Sequence, residues 1–280
     1  MSTVEYETIV VDSPAEFVAR LTLNRPEKRN AISGQLRGEL FDALHRHDND
    51  DAVRVTVVRG AGKCFSSGYD LGSRLWEDKP AWGAGGDGKW SRHASDSWFG
   101  MWDLAKPVIA QVHGYALAGG TELMAACDLA YCAADAQIGY PVTRVLSPPD
   151  MQFHPYFVGI RHSMELLLTG DSISGDEAAR MGLVNRAYPA DELEASVLDI
   201  AVRVARTASD LQQINKRSVH RAMEIMGIRA AIRAGSELQA LAGHQASVRE
   251  QMTSALSAVK GVVDGVADGV VDRAVDNPTS

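Results

Sequence analysis

Apolar and polar positions change period along the chain, from two near the start to about three and a half soon after. Residues 5–11 and 17–23 alternate and predict a strand pair, with Asp12-Ser13-Pro14 as the turn. Asn24-Arg25-Pro26-Glu27-Lys28-Arg29-Asn30 is a polar loop broken by proline. Residues 33–47 place Leu36, Leu40, Phe41 and Leu44 on one stripe and predict a helix. The β-branched run 53–58 predicts a buried strand that ends at Arg59-Gly60-Ala61-Gly62, and residues 107–112 predict another. Strands alternate with helices, so the chain is α/β. Both buried strands run into glycine-containing motifs, at the strand-to-helix handover that ligands favour in such folds.

Residues 72–99 hold five glycines without convincing periodicity and predict a long loop with at most a short helix. Trp76, Trp82, Trp90, Trp98 and Trp102 fall in or just after it. They either fasten an irregular segment to the body or line a bulky acyl pocket. After Pro148-Pro149 the pattern turns helical at 155–169. Ser174-Gly175-Asp176-Glu177 is a capping box opening a helix that stops at Gly182. A short strand is expected at 183–188, and helices at 191–207, 210–226 and 228–256. Beyond them Asp264, Asp268, Asp272 and Asp276 would stack like charges along a helix, which Gly265 and Gly269 weaken further. A frayed tail and a partner-docked helix both remain open. The expected organisation is a core at 1–190, a helical region at 191–257 and a tail at 258–280.

With 280 residues, of which 45% are hydrophobic and 23% charged, the chain suits one large globular domain with a helical extension. No apolar run approaches the roughly 18 to 20 residues of a membrane span. The first residues lack the basic and apolar regions of a secretory signal, so a cytoplasmic location is expected. Cys64, Cys127 and Cys132 are odd in number and form no Cys-x-x-Cys pair, which predicts buried free thiols in a reducing compartment. No His/Cys or His/Glu cluster has metal-ligand spacing, so no metal is expected. A net charge of −8 argues against nucleic acid as the main partner but leaves room for an anionic small ligand.

Two stretches carry the candidate chemistry: Cys64-Phe65-Ser66-Ser67-Gly68-Tyr69-Asp70-Leu71 and Gly114-Tyr115-Ala116-Leu117-Ala118-Gly119-Gly120-Thr121-Glu122-Leu123. Each sets a bare backbone turn at a strand end, and together they look like two halves of an oxyanion hole. Two N–H groups aimed at one oxygen stabilise an enolate or a tetrahedral anion, whose charge develops in the transition state. Glu122, just past Gly119, adds a carboxylate for proton transfer beside a carbonyl.

These motifs resemble those of the crotonase superfamily, the enoyl-CoA hydratase/isomerase family. Leu23 to Ala31 is similar to its opening loop, residues 65–71 to its first oxyanion segment, and residues 114–123 with Cys127-Asp128 to its second. Leu168-Thr169-Gly170-Asp171, Ala178-Ala179 and Gly182-Leu183-Val184-Asn185 resemble its later helix-turn signature. Five fragments in order over some 190 residues are a specific signal. The resemblance implies a spiral of ββα repeats with C-terminal helices for trimerisation, hence a homotrimer or hexamer. It implies an acyl-CoA substrate and no cofactor beyond that coenzyme A. It assigns the N–H groups of Tyr69 and Gly119 to the oxyanion hole and Glu122 to catalysis. It places Lys28, Arg29, Ala31, Ser67, Asp70 and Leu71 at the coenzyme A, with Asp70 also read as orienting its own loop.

The chain departs from the hydratase pattern at one position. The second glutamate of the well-known hydratases should follow Gly139-Tyr140-Pro141, and Val142 stands there. Asp150 falls where family isomerases and a dehalogenase-type member place a catalytic aspartate, although an Asp after two prolines also suits a turn or cap. Glu122 and Asp150 then favour double-bond isomerisation over ordinary hydration. Two other readings stay open: hydrolysis of a thioester, C–C or carbon–halogen bond using Asp150, with His113 or His154 assisting, and a subunit that binds CoA esters without chemistry.

Overall fold

In the computed structural model, which describes residues 5–72, 89–251 and 254, six strands form one sheet. In spatial order they are β1 (Ile9–Ala15), β2 (Phe17–Leu23), β3 (Val53–Gly60), β4 (Val108–Val112), β6 (Leu129–Ala133) and β9 (Arg186–Tyr188). β1 pairs antiparallel with β2, and every other pairing in this sheet is parallel. Parallel strands are covered on both faces, which is why β3 and β4 read as continuous apolar runs; β4 is buried throughout. A smaller sheet holds β5 (Tyr115–Leu117), β7 (Gln137–Gly139) and β8 (Ser172–Ser174). The architecture is mixed α/β.

Local chemistry accounts for the helices. In α1 (Gly34–Asp48) the Ser33 side chain accepts the Leu36 N–H at 3.2 Å, and Leu36, Leu40 and Leu44 are buried in the core. α2 (Lys89–Asp103) precedes β4, and α3 (Gly119–Ala126) follows β5. α6 (Gly175–Met181) begins at the expected cap, where the Ser174 Oγ accepts the Glu177 N–H, and ends at Gly182 with φ 85°. C-terminal helices follow, among them α7 (Leu193–Ala205), α8 (Ser209–Ile225) and α9 (Ile228–Gly243). α8 is tied to the body by a buried ion pair, Lys216 to Asp128 at 2.9 Å. The same Nζ donates to the carbonyls of Met101 and Lys106.

Several boundaries differ from the sequence expectation, each for a visible reason. β1 does not turn at Asp12-Ser13-Pro14 but continues through a bulge to Ala15. It is an edge strand, where the missing N–H of proline costs nothing, and the reversal falls at Phe17 with φ 61°. The expected helix at 155–169 is two, α4 (His154–Phe157) and α5 (Gly159–Thr169), parted at Val158, with Gly159 opening the second at φ 72°. The helix from Ile228 breaks at His244 rather than running on to 256. Lys89–Asp103 is a full helix, not a loop, with Ala94, Trp98, Met101 and Trp102 buried on one face. Trp76, Trp82 and the tail at 258–280 lie outside the described residues. Cys64, Cys127 and Cys132 are free and buried.

Asn30 staples the loop after β2 to the end of β3. Its side chain accepts the Arg25 N–H at 3.0 Å and donates to the carbonyls of Ala61 and Cys64 at 2.9 and 2.8 Å. Its φ of 52° is a conformation that asparagine adopts at lower cost than alanine. Asn30→Ala is expected to lower unfolding stability in urea by about 3 kcal/mol, from lost hydrogen bonds and backbone strain together. Asn30→Gly, which keeps the backbone at ease, should recover about 1 kcal/mol of that.

Candidate active site

The two glycine motifs meet. Ser66 N–H donates to Tyr115 O, and Leu117 N–H donates back to Ser66 O at 3.1 Å. On its other side the first motif is laced to the opening loop, through Ile32 N–H to Gly68 O and Asp70 N–H to Ile32 O. Gly68 has φ 102°, and a Cβ built on it would lie 3.3 Å from the Gly119 nitrogen. Ala118 takes φ 50° and ψ −119°, a strained value for a residue with a Cβ, and so turns the chain into α3. The α3 ladder starts with the N–H groups of Thr121 and Glu122 bonding Ala118 O, which leaves the Gly119 N–H at the positive end of the helix. The candidate donors Tyr69 and Gly119 therefore sit on turns in direct contact. The Tyr69 ring lies over Gly119, where a Cβ would fall 2.8 Å from it.

Glu122, in the first turn of α3, is wholly buried. Its Oε2 accepts the Tyr69 hydroxyl at 2.8 Å, and its Oε1 accepts the Tyr140 hydroxyl at 3.0 Å and the Met151 N–H at 3.2 Å. The Trp98 indole N–H donates to the Tyr69 oxygen at 2.9 Å. Burial pushes the Glu122 carboxyl above its ordinary range, and these donors only partly oppose it. Asp150 is also buried, behind Pro148-Pro149. Both phenols are held well above their usual range, first by burial and then by the charges of Glu122 and Asp150. The Arg37 guanidinium is buried on α1, bonded to the His93 ring and within the field of Tyr69 and Asp150. Two carboxylates, two phenols and one guanidinium thus share one dry region.

The candidate coenzyme A residues gather on one side of the joined loops. Lys28 is exposed, Arg29 half-buried and Ala31 buried, while Ser67 donates its N–H to Arg29 O at 3.0 Å. The Asp70 carboxylate pairs with Arg25 at 2.9 Å and accepts the Gly72 N–H, so it holds its own turn. Leu71 is exposed beside it. Val142 sits on the short turn Pro141–Arg144, which brings no carboxylate to Glu122. His113 contacts the Gly62 carbonyl at 3.0 Å. His154 stacks on Phe153 with ring centroids 4.2 Å apart, and burial pulls its pKa down to about 4.

Three groups at this site were not singled out in the sequence, the side chains of Tyr140 and Arg37 and the Met151 N–H, while Trp98 was read only as one of five tryptophans that could line an acyl pocket. Arg37 left a signal, a charge one residue from Leu36 on the apolar stripe of α1. Among the described residues no three His, Cys, Asp or Glu side chains converge as a metal site.

A family model described as enoyl-CoA hydratase/isomerase matches residues 14–259. EchA13 of Mycobacterium tuberculosis, provisionally named an enoyl-CoA hydratase, is 35% identical over 250 residues, covering 82% of this chain and 77% of the relative. The hydroxycinnamoyl-CoA hydratase-lyase of Pseudomonas fluorescens is 34% identical over 219 residues, covering 72% and 74%. A crystal structure of enoyl-CoA hydratase from Mycobacterium smegmatis superimposes with a TM-score of 0.80 at 29% identity, covering 90% of each chain.

His154 links this region to acid stability. Its folded pKa of about 4 lies below the unfolded value of 6.5, so the unfolded chain binds the extra proton between those limits. The histidine contribution is present above pH 6.5 and is lost as pH falls toward 4, by up to about 3 kcal/mol. Urea unfolding at pH 7, 5.5 and 4.5 should show this decline in the wild type and a shallower one in His154→Leu.

Proposed function

The chain belongs to the enoyl-CoA hydratase/isomerase family and is an acyl-CoA enzyme of that family, and from this premise we propose that it shifts a double bond through a thioester enolate. The N–H groups of Tyr69 and Gly119 would hold the thioester oxygen. Glu122 and Asp150 would move protons between the α and γ carbons. What carries the proposal is the pairing of Glu122 with Asp150 inside one buried region where position 142 holds valine.

The chemistry follows from the surroundings of each group. The α-proton of a thioester is weakly acidic, and its removal needs the enolate oxygen stabilised as charge appears. A carboxylate whose proton affinity is raised by burial is the stronger base for that step. The proton it takes returns at the far end of the enolate, so one C–H bond breaks, another forms and nothing is oxidised. Such a transfer needs no cofactor; coenzyme A enters as part of the substrate. Lys28 and Arg29, on the rim of the joined loops, would face its phosphates.

Kinship with a hydroxycinnamoyl-CoA hydratase-lyase favours a second reading, hydration of an aryl-bearing enoyl-CoA. Asp150 would then share the water with Glu122 in place of the missing glutamate. Mass spectrometry of enoyl, dienoyl and aryl CoA esters incubated in heavy water separates the readings. Deuterium gained without added water marks isomerisation, added water marks hydration, and free acid marks hydrolysis. Binding with none of these changes would leave a non-catalytic CoA-ester subunit. Glu122→Gln and Asp150→Asn should each lower kcat by about 10² to 10⁴-fold with little change in KM. Full turnover in both variants would falsify the assigned roles.

The proposal includes self-association as a homotrimer or a hexamer, and work in the cytoplasm, in keeping with three unpaired cysteines. Among the described residues no helix is long and apolar enough to cross a membrane. The C-terminal half exposes large apolar side chains: Ile160, Met164 and Leu168 four apart on α5, and Leu211, Ile214, Val219 and Ile225 on α8. Leu168 and Ile225 are 80% and 81% exposed, which suits residues awaiting a second copy. The double variant Leu168→Glu/Ile225→Glu should fall toward the 30.2 kDa monomer in light scattering, while the wild type elutes as the larger assembly.

A further inference from the structure

Tyr69 brings two unlike groups into the site. Its main-chain N–H is the candidate oxyanion donor. Its ring runs inward over the bare Cα of Gly119, where a Cβ would fall 2.8 Å from the ring. The ring ends in a hydroxyl bonded to Glu122 Oε2 at 2.8 Å and to the Trp98 indole N–H at 2.9 Å.

The two oxygens of Glu122 are therefore unequal. Oε1 is anchored by two donors, the Tyr140 hydroxyl and the Met151 main chain. Oε2 accepts the Tyr69 hydroxyl, and the Trp98 indole N–H adds a weaker pull on the same carboxyl. A lone pair already committed to a donor is a weaker base, so the oxygen with more free lone-pair capacity is the one to take a proton. The phenol beside it is held in turn. Trp98 is fully buried, packs 6.0 Å from Phe41 between ring centroids, and directs its N–H to the phenol oxygen at 2.9 Å. An acceptor already polarised by a donor becomes a better donor itself, so Trp98 strengthens the bond from Tyr69 to Glu122.

We propose that the Tyr69 side chain, with Trp98 behind it, is the positioning residue of the reaction: it aims Glu122 Oε2 at the α-carbon of a thioester whose oxygen is held by the N–H of the same Tyr69. Base and oxyanion donor are then fixed to one another through a single residue. A main-chain donor alone places no demand on the side chain at this position. Here the side chain is long enough to reach the base and rigid enough to hold it. The inference rests on the proton-transfer reading above.

Glu122 faces Tyr69 from the turn after β3, Tyr140 from the end of β7, and the Met151 N–H beside Asp150. Arg37 from α1 and His93 from α2 stand behind Tyr69 and Asp150. The buried His154 is neutral above about pH 4. A hydroxyl that donates to Glu122 favours its charged form, so removing that hydroxyl must raise its proton affinity further.

Tyr69→Phe tests this with one atom, since it keeps the main-chain N–H and the ring against Gly119. Two readouts are needed: infrared titration of the Glu122 carboxyl in the ligand-free enzyme, and exchange of the α-protons of hexanoyl-CoA in heavy water. Tyr69→Phe should raise the carboxyl midpoint by about one to two pH units. It should also slow exchange about ten- to a hundredfold at saturating ester, with half-saturation changed less than about twofold. Trp98→Phe should move both readouts the same way by less, and the double variant should fall short of the sum. An unmoved midpoint or wild-type exchange in Tyr69→Phe, while Glu122→Gln is inactive, overturns the positioning role alone. Exchange that persists in Glu122→Gln, or a wild-type enzyme that binds hexanoyl-CoA without exchanging it, removes the proton-transfer reading and this inference with it.

Discussion

A carboxylate with none of its surface open to water must be met by donors or hold its proton. The arrangement around Glu122 follows from that requirement. Its donors come from segments far apart in the chain: Tyr69 after β3, Tyr140 after β7 and Met151 beyond the paired prolines. Each of those segments must close onto the start of α3 for the bonds to form. The site is thus a product of the folded sheet rather than of any local motif. The donors do not cancel the effect of burial, and the carboxyl stays above its ordinary range. Incomplete compensation of this kind leaves a carboxyl that holds a proton more firmly than one in water.

Bringing two backbone turns that close together calls for conformations that most residues avoid. Gly114 has φ 60°, and a Cβ there would fall 2.0 Å from the Lys63 carbonyl. Ala118, Arg29 and Asn30 all take positive φ without being glycine. These residues cluster where the opening loop, the first motif and the start of α3 meet, and the parallel strands beneath supply the rigid frame that holds them. Asn30 illustrates the exchange, since its side-chain hydrogen bonds offset the strain of its own backbone.

Much of the fold was legible because its signals are local. The caps at Ser33 and Ser174, the stripe of Leu36, Leu40 and Leu44, and the β-branched run of β3 each act within a few residues. What escaped depended on neighbours distant in sequence. Pro14 fits inside β1 only because that strand lies at the sheet edge. The helical spacing of Ala94, Trp98, Met101 and Trp102 was obscured by the glycines before it and by the bulk of its tryptophans. The site divided along the same line. Glu122, Gly119 and Tyr69 could be named as candidates from their motifs and Asp150 from the family resemblance, and the fold brings them into one region. The direction of the Tyr69 ring could not, because a motif that places a main-chain donor says nothing of its side chain.

Environment separates the two buried carboxyl groups. Glu122 is met by neutral donors, two phenols and an amide, on a helix start. Asp150 shares its field with the guanidinium of Arg37, itself buried and bonded to His93. The two buried carboxyl groups therefore meet different surroundings, one set of neutral donors and one nearby cation. Arg37, a charge set among the leucines of α1, thus lies within the field of the buried Tyr69 and Asp150 rather than out in solvent.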